Sequence, residues 1–289
     1  MNHAQARAFH WVATEGGFSA AARRLGLTQP AVTLQVKALE SRYGVGLFHR
    51  RGRTVTLTDA GRQLFGLTRR LFAIEGEADE LLSAIGELRR GRVSVGADGP
   101  YHVIEILVAY RARLPAVRVT VDIGNSDALR RRLLDYDCDV AVLAGSSDDP
   151  AFHELAFRRH RLVLFAARDH PWAGRRRIHL AELEGEPMVL REQGSATRRV
   201  FEAGLAKAGV TPDVVLEIGS REAVHEAVAA GLGLGVVQAP ELGRDARVRP
   251  IEIADPGVES WEYVVTLAER RTSPFIANFF EVATDLART

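Results

Sequence analysis

Several residue types that would announce a particular chemistry are scarce in this chain. Of its 289 residues, one is cysteine and two are methionine. A lone Cys138 excludes an intramolecular disulfide and a cysteine metal cluster. It stands in Asp137-Cys138-Asp139-Val140, where an apolar strand pattern begins, so it is expected to be a buried, inert thiol. Lysine is nearly absent, with only Lys37 and Lys207, but arginine replaces it along the whole length, so the bias carries no functional meaning. No apolar run reaches the roughly 18 residues of a membrane span, and the start, MNHAQARAFHW, lacks the apolar core of a secretory signal. A cytoplasmic location without membrane partners is therefore expected.

What is present is unevenly placed. Net charge is +1, yet residues 1–61 hold eight Lys or Arg against three Asp or Glu, while 62–90 balance at five each. That leaves −4 for residues 91–289. A basic front on a mildly acidic body implies that only the first part meets a polyanion. There, apolar spacing over 4–15 predicts a helix ended by Gly16-Gly17. Ser19 is expected to cap a short helix through Leu25, and Thr28 to cap the next, with Pro30 in its first turn. Ala31, Val32, Val36 and Leu39 form the inward stripe of that helix and leave Gln29, Thr33, Gln35 and Lys37 pointing largely outward. Helix, short Gly-containing turn, helix is the helix-turn-helix arrangement, whose second helix enters a DNA major groove.

Two β-prone runs around Arg50-Arg51-Gly52-Arg53 then predict a hairpin wing. Thr58 caps a long helix, about 59–89, with a near-heptad apolar stripe from Leu64 to Leu88. Such a stripe calls for a partner helix, which makes the segment a dimerisation linker; the alternative is packing on its own domain. From 91 onward strands and helices alternate. Buried parallel strands are expected at 93–97, 117–123 and 140–144, with further strands at 162–167, 188–191, 214–218 and 234–237. A strand at 263–267 and a helix from Pro274 to Leu286 cross back to the first lobe. The fold class is α/β: a winged helix-turn-helix over 1–58, a linker over 59–90, and a two-lobed doubly wound effector domain over 91–289. Lobe I takes 91–161 and 268–289, and lobe II takes 162–267.

The runs Phe18-Ser19-Ala20-Ala21-Ala22, Gln29-Pro30-Ala31-Val32, Leu47-Phe48-His49-Arg50 and Leu57-Thr58-Asp59-Ala60-Gly61 resemble the DNA-binding end of LysR-type transcriptional regulators. The remainder is similar to that family's effector domain, with the fold of periplasmic binding proteins. Gly99-Pro100-Tyr101, Ile123-Gly124-Asn125-Ser126 and Glu217-Ile218-Gly219-Ser220-Arg221-Glu222 resemble, more narrowly, regulators associated with 2-aminoethylphosphonate catabolism. One departure is Thr33-Leu34-Gln35, where many relatives show Ser-Arg-Gln.

The expected DNA-binding set is Ser19, Thr28, Gln29, Pro30, Thr33, Gln35, Lys37, Arg50, Arg51 and Arg53. Gln29, Thr33 and Gln35 suit base edges, Pro30 suits thymine methyls, and the Lys and Arg side chains suit phosphate. The expected effector set lies at strand ends and helix starts facing a cleft between lobes: Asp98, Gly99 and Tyr101; Asn125 and Ser126; Gly194, Ser195, Thr197 and Arg198; Ser220, Arg221 and Glu222. Its ligand is a small anion, with 2-aminoethylphosphonate or a related phosphonate in view and a carboxylate or phosphate metabolite as the alternative. Expected partners are promoter DNA, a second or further copies in a homodimer or homotetramer, and RNA polymerase. No cofactor or metal is expected. The competing class is an α/β enzyme with a DNA-binding appendage. Against it, Gly231-Leu232-Gly233-Leu234-Gly235 follows a helix and precedes a strand, the reverse of a dinucleotide loop. Neither G-x-S-x-G nor H-E-x-x-H occurs, and His153, His160, His170 and His179 are expected to be exposed.

Overall fold

The computed structural model describes residues 1–51, 54–85 and 91–288, which divide into two compact units, Met1–Leu82 and Ser83–Thr289. The first contains α1 (His3–Glu15), α2 (Phe18–Leu25), α3 (Gln29–Tyr43), the hairpin β1 (Phe48–Arg51) and β2 (Thr54–Leu57), and the start of α4 (Asp59–Ile85). Gly16, Gly26 and Gly44 end the three short helices in the left-handed region, which glycine enters without a Cβ penalty. Thr28 caps α3 as expected, accepting from the Ala31 amide at 3.4 Å. Ser19 does not cap α2. That role falls to Gly17, and Ser19 lies within the first turn of the helix. Phe9, Val12, Val32, Val36 and Leu39 form the core, while Ala31 is only half-buried. Arg53 lies outside the described residues, as do the side chains of Arg50 and Arg51.

Thr58 ties the entrance of α4 to the preceding loop. Its hydroxyl accepts from the Gly61 amide (3.0 Å) and donates to the Gly46 carbonyl (2.8 Å), while its amide donates to the Leu47 carbonyl (3.0 Å). A Cβ on Gly61 would fall 2.1 Å from that Leu47 oxygen. Helix propensity alone favours Gly61→Ala by about 1 kcal/mol. The collision with backbone reverses the sign, and denaturant melts should show a net loss of about 1–3 kcal/mol.

The second unit comprises β3 (Gly91–Ala97), α5 (Pro100–Arg113), β4 (Val117–Ile123), α6 (Ser126–Leu134), β5 (Val140–Ala144), β6 (Phe152–Ala167), β7 (Arg177–Ile178), β8 (Pro187–Arg191), α7 (Ala196–Ala208), β9 (Asp213–Ile218), α8 (Arg221–Ala229), β10 (Gly235–Gln238), β11 (Val248–Ile253), β12 (Glu259–Leu267) and α9 (Pro274–Ala287). β3 pairs in parallel with β4 and β5. β12 runs antiparallel to β5 and along most of β6. The far end of β6 pairs with β10 and β11. These two long strands thus carry one mixed sheet through both lobes. Val95, Ile106, Tyr110, Phe275 and Phe279 fill the first lobe, so α9 does return to it. Leu162, Leu164, Met188, Leu190 and Phe201 fill the second.

Three expectations need correction. The strand at 162–167 is only the second half of β6. β4 is a sheet edge, with Val121 and Ile123 exposed rather than buried. Of the four histidines only His179 is exposed; His160 stacks on His102 at 4.7 Å and His153 lies against Phe280 at 4.9 Å. Cys138 is buried, and that burial pushes its thiol up to about 12. Among the described residues no helix is long and apolar enough to cross a membrane.

Candidate functional site

Over the stretch of α3 from Gln29 to Lys37 the exposed side chains are Gln29, Pro30, Leu34 and Lys37, with Thr33 half-buried between them. Ser19 donates to the Gln29 amide oxygen at 2.9 Å. That bond holds the oxygen toward α2 and turns the NH₂ group the other way, a preset donor pair at the mouth of the helix. Leu34 is 66% exposed on the same face, an apolar contact among hydrogen-bonding ones. Gln35 is turned aside and lines a groove of about 370 Å³ with His3, Arg7 and Leu27. α3 therefore offers Gln29, Thr33, Leu34 and Lys37 together, and Gln35 separately.

In the second unit, the helix starts expected to cradle a ligand meet one another across the lobes. Asn125 caps α6, accepting from the Ala128 amide (2.9 Å), and donates to Glu192 (3.0 Å). The Asp127 amide donates to the Gly194 carbonyl at 3.3 Å, and Arg199 reaches Asp127 at 3.1 Å. Gly194 has φ 91°, and a Cβ there would stand 3.1 Å from the Asn125 oxygen, so glycine serves both the turn and the close approach. Ser195 caps α7 through the Arg198 amide at 3.4 Å, and Ser220 caps α8 through the Ala223 amide at 3.0 Å. Arg198 is buried and engaged by Glu202 (2.7 Å), Glu217 (2.6 Å) and the Arg191 carbonyl (2.7 Å). Ser126 donates to Asp98 (3.1 Å), whose carboxylate also accepts from the Ala144 amide (2.7 Å).

A pocket of about 300 Å³ collects Tyr101, Thr197, Arg221 and Glu222 from the expected set, and adds Arg191 and Glu241 over a floor of Phe165, Val224, Val236 and Leu242. Asp98, Gly99, Asn125, Ser126, Gly194, Ser195, Arg198 and Ser220 are not in its lining. Arg221 is the bridge between the lobes. It donates to the Asp98 carbonyl at 3.2 Å and lies 2.6 Å from Glu241, with its guanidinium 5.9 Å from the Tyr101 ring. Gly99 makes the crossing possible, since a Cβ there would sit 2.1 Å from the guanidinium.

Sequence patterns missed the polar residues behind this pocket. Gln238 donates to Glu262, and both are buried. Burial pushes the Glu262 carboxyl well above the usual carboxylate range, with the Asp98 and Glu241 charges adding to it. Burial likewise raises Glu241 to about 7 and lowers His102 to about 4, leaving that ring neutral. A charge inside the apolar run Tyr263–Leu267 and its neighbours was the one available signal for Glu262. His225, Glu226 and Asp245 have the spacing of metal ligands, but Arg247 already holds both carboxylates at 2.7 Å.

The sequence matches the description "Bacterial regulatory helix-turn-helix protein, lysR family" over residues 3–62 and "LysR substrate binding domain" over 86–288. It is 33% identical over 291 residues to the RuBisCO operon transcriptional regulator of Allochromatium vinosum, covering 98% of this chain and 96% of that protein. Its fold is similar to full-length CbnR complexed with target DNA, with a TM-score of 0.73, 24% identity, and 99% and 100% of the two chains covered. It is also similar to the CcmR regulatory domain from Synechocystis PCC6803 in complex with 2-PG, with a TM-score of 0.64, 25% identity, and 69% and 99% covered. With both halves matched and a relative aligned along nearly the whole length, the chain belongs to the LysR family of DNA-binding transcriptional regulators modulated by small-molecule effectors.

Proposed function

We propose that the chain is a homo-oligomeric regulator that reads promoter DNA with Gln29, Thr33, Leu34 and Lys37 and responds to a small oxyanion in the Arg221 pocket. The Ser19–Gln29 bond is the observation that carries the DNA assignment, because a helix that only packs has no use for a prepositioned exposed amide. CbnR, whose fold is similar, was solved with its target DNA, which suits promoter DNA as the partner. On α4, Leu67, Leu71, Ile74 and Leu81 are exposed at coiled-coil spacing, which suits a second copy of the same helix. Arg191, Arg221 and Thr197 give the pocket its oxyanion chemistry. The relatives' names point to a RuBisCO operon and to 2-PG. The 2-aminoethylphosphonate expected from the effector-domain motifs is then one member of a wider class of small phosphonates, phosphates and carboxylates. RNA polymerase is the further partner that control of transcription requires.

In vitro selection from random duplex DNA with the full chain tests this. The enriched site should be an inverted repeat, the signature of a two-fold protein. Lys37→Ala should weaken binding to every sequence alike and reduce the slope of log K against log salt by about 1. Absence of any enriched sequence would sink the DNA assignment, and an enriched site without dyad symmetry would sink the oligomer.

A further inference from the structure

We propose that Leu34 makes recognition of the target DNA depend on thymine: its side chain reads the C5-methyl group of that base in the major groove. This deepens, and rests on, the assignment of α3 as the reading helix.

The outer face of α3 is built from two rows at a spacing of four residues, which brings the members of each row together along the helix. Gln29, Thr33 and Lys37 form a polar row, with Thr33 half-buried. Beside it Pro30, Leu34 and Ala38 form an apolar row, and all three are exposed. Among the described residues, the core of this unit takes Val32, Val36 and Leu39 from α3 and none of the second row. The helix is thus apolar on two sides, and packing within the domain accounts for only one of them. Leu34, 66% exposed, is the long side chain of the outer row. Pro30 is held in the first turn and Ala38 ends in a single methyl. The Cα–Cβ bond of a helical residue leans toward the N-terminus, which sets Leu34 back toward Pro30 and joins the two into one apolar patch.

A phosphate offers an apolar side chain nothing, so a contact made by Leu34 in the groove is a contact with a base. Among unmodified bases the major-groove edge carries one apolar group, the thymine C5-methyl. The polar row agrees with that choice. Ser19 holds the Gln29 oxygen at 2.9 Å, so Gln29 meets DNA through its NH₂ group, and the Lys37 ammonium has donors alone. Thymine sets an O4 acceptor beside its methyl and so serves both rows, whereas cytosine puts an N4 donor in that place.

The test takes the duplex selected by the full chain and replaces each thymine of one half-site in turn by deoxyuridine. That base keeps every hydrogen-bonding group and lacks only the methyl. At one or two of these positions the parent should bind about four-fold more weakly, the worth of one buried methyl group. In Leu34→Ala, uracil at the same positions should cost less than about 1.5-fold. The slope of log K against log salt should be the same for both proteins, because no phosphate contact is lost. Each uracil ratio is measured within one protein, so it does not depend on how stable the variant is. A uracil penalty that persists in Leu34→Ala assigns the methyl to another side chain and overturns the proposal. Binding that no uracil weakens overturns it too, and leaves α3 as the reading helix of the selected site. If no sequence is selected at all, the DNA assignment fails and the thymine contact fails with it.

Discussion

Arg221→Met should destabilise the second unit by about 3–5 kcal/mol near pH 8, and by much less near pH 5. Methionine keeps most of the aliphatic stem and removes the charge, so packing changes little. What is lost is a cation that spans the lobes, with its bond to the Asp98 carbonyl and its contact with Glu241. Glu241 and Glu262 are then left buried without their nearest compensating charge, Arg191 alone still acting on Glu241. The pH dependence follows from Glu241. Its folded pKa, about 7, lies above the ordinary 4.5, so the folded state binds more protons than the unfolded one between those values. Stability from this group is therefore present below pH 4.5 and is lost as pH rises through 7. Arg221 holds that pKa down, so removing it pushes the carboxyl higher and steepens the loss. Denaturant melts of parent and variant at the two pH values measure this directly. An equal deficit at both would mean that Arg221 acts through packing and not through the buried acids.

The same residues mark how far the sequence was legible. Helix starts were readable because capping chemistry is local: Thr28, Asn125, Ser195 and Ser220 each accept the bond that their position next to a helical pattern implies. Ser19 misled because a serine two residues past the cap, here Gly17, looks the same in sequence as a cap. β6 was half hidden because Arg158, Arg159, His160 and Arg161 interrupt its apolar alternation, and only pairing with β12 makes the segment a strand. The pocket was legible on its arginine side, where Tyr101, Thr197 and Arg221 sit at helix starts. It was illegible on its acid side. Gln238 and Glu241 stand three residues apart at the end of β10, Glu262 lies in β12, and nothing in their spacing says that the fold will bury them together. Long-range convergence of single polar residues is set by topology, which local periodicity does not encode.

In the DNA-binding unit the sign of the pH effect is opposite. His10 is 8% exposed, and its ring packs against Trp11, Phe65 and Phe72 at centroid distances of 5.3, 5.4 and 4.7 Å. Its Nδ1 lies 3.2 Å from the Thr68 hydroxyl. That hydroxyl donates to the Phe65 carbonyl at 3.1 Å, which assigns the imidazole proton to Nδ1. Burial, then the charge of Arg69, lowers the His10 pKa from 6.5 to about 4. The unfolded chain thus binds more protons between those values, so this contribution is whole above pH 6.5 and is lost as pH falls toward 4. The linkage amounts to about 3 kcal/mol for a shift of this size. Because His10 joins α1 to α4, and α1 packs on α3, acidification should loosen the support of the reading helix while Glu241 becomes less costly in the other unit. Imidazole proton NMR should place the His10 titration near pH 4, and denaturant melts of the first unit should weaken between pH 6.5 and that value. In His10→Phe the same melts should lose most of their dependence on pH in this range. A normal His10 titration near 6.5, or an unchanged pH dependence in His10→Phe, would mean that the ring is hydrated and that the junction of α1 and α4 is no sensor of acid.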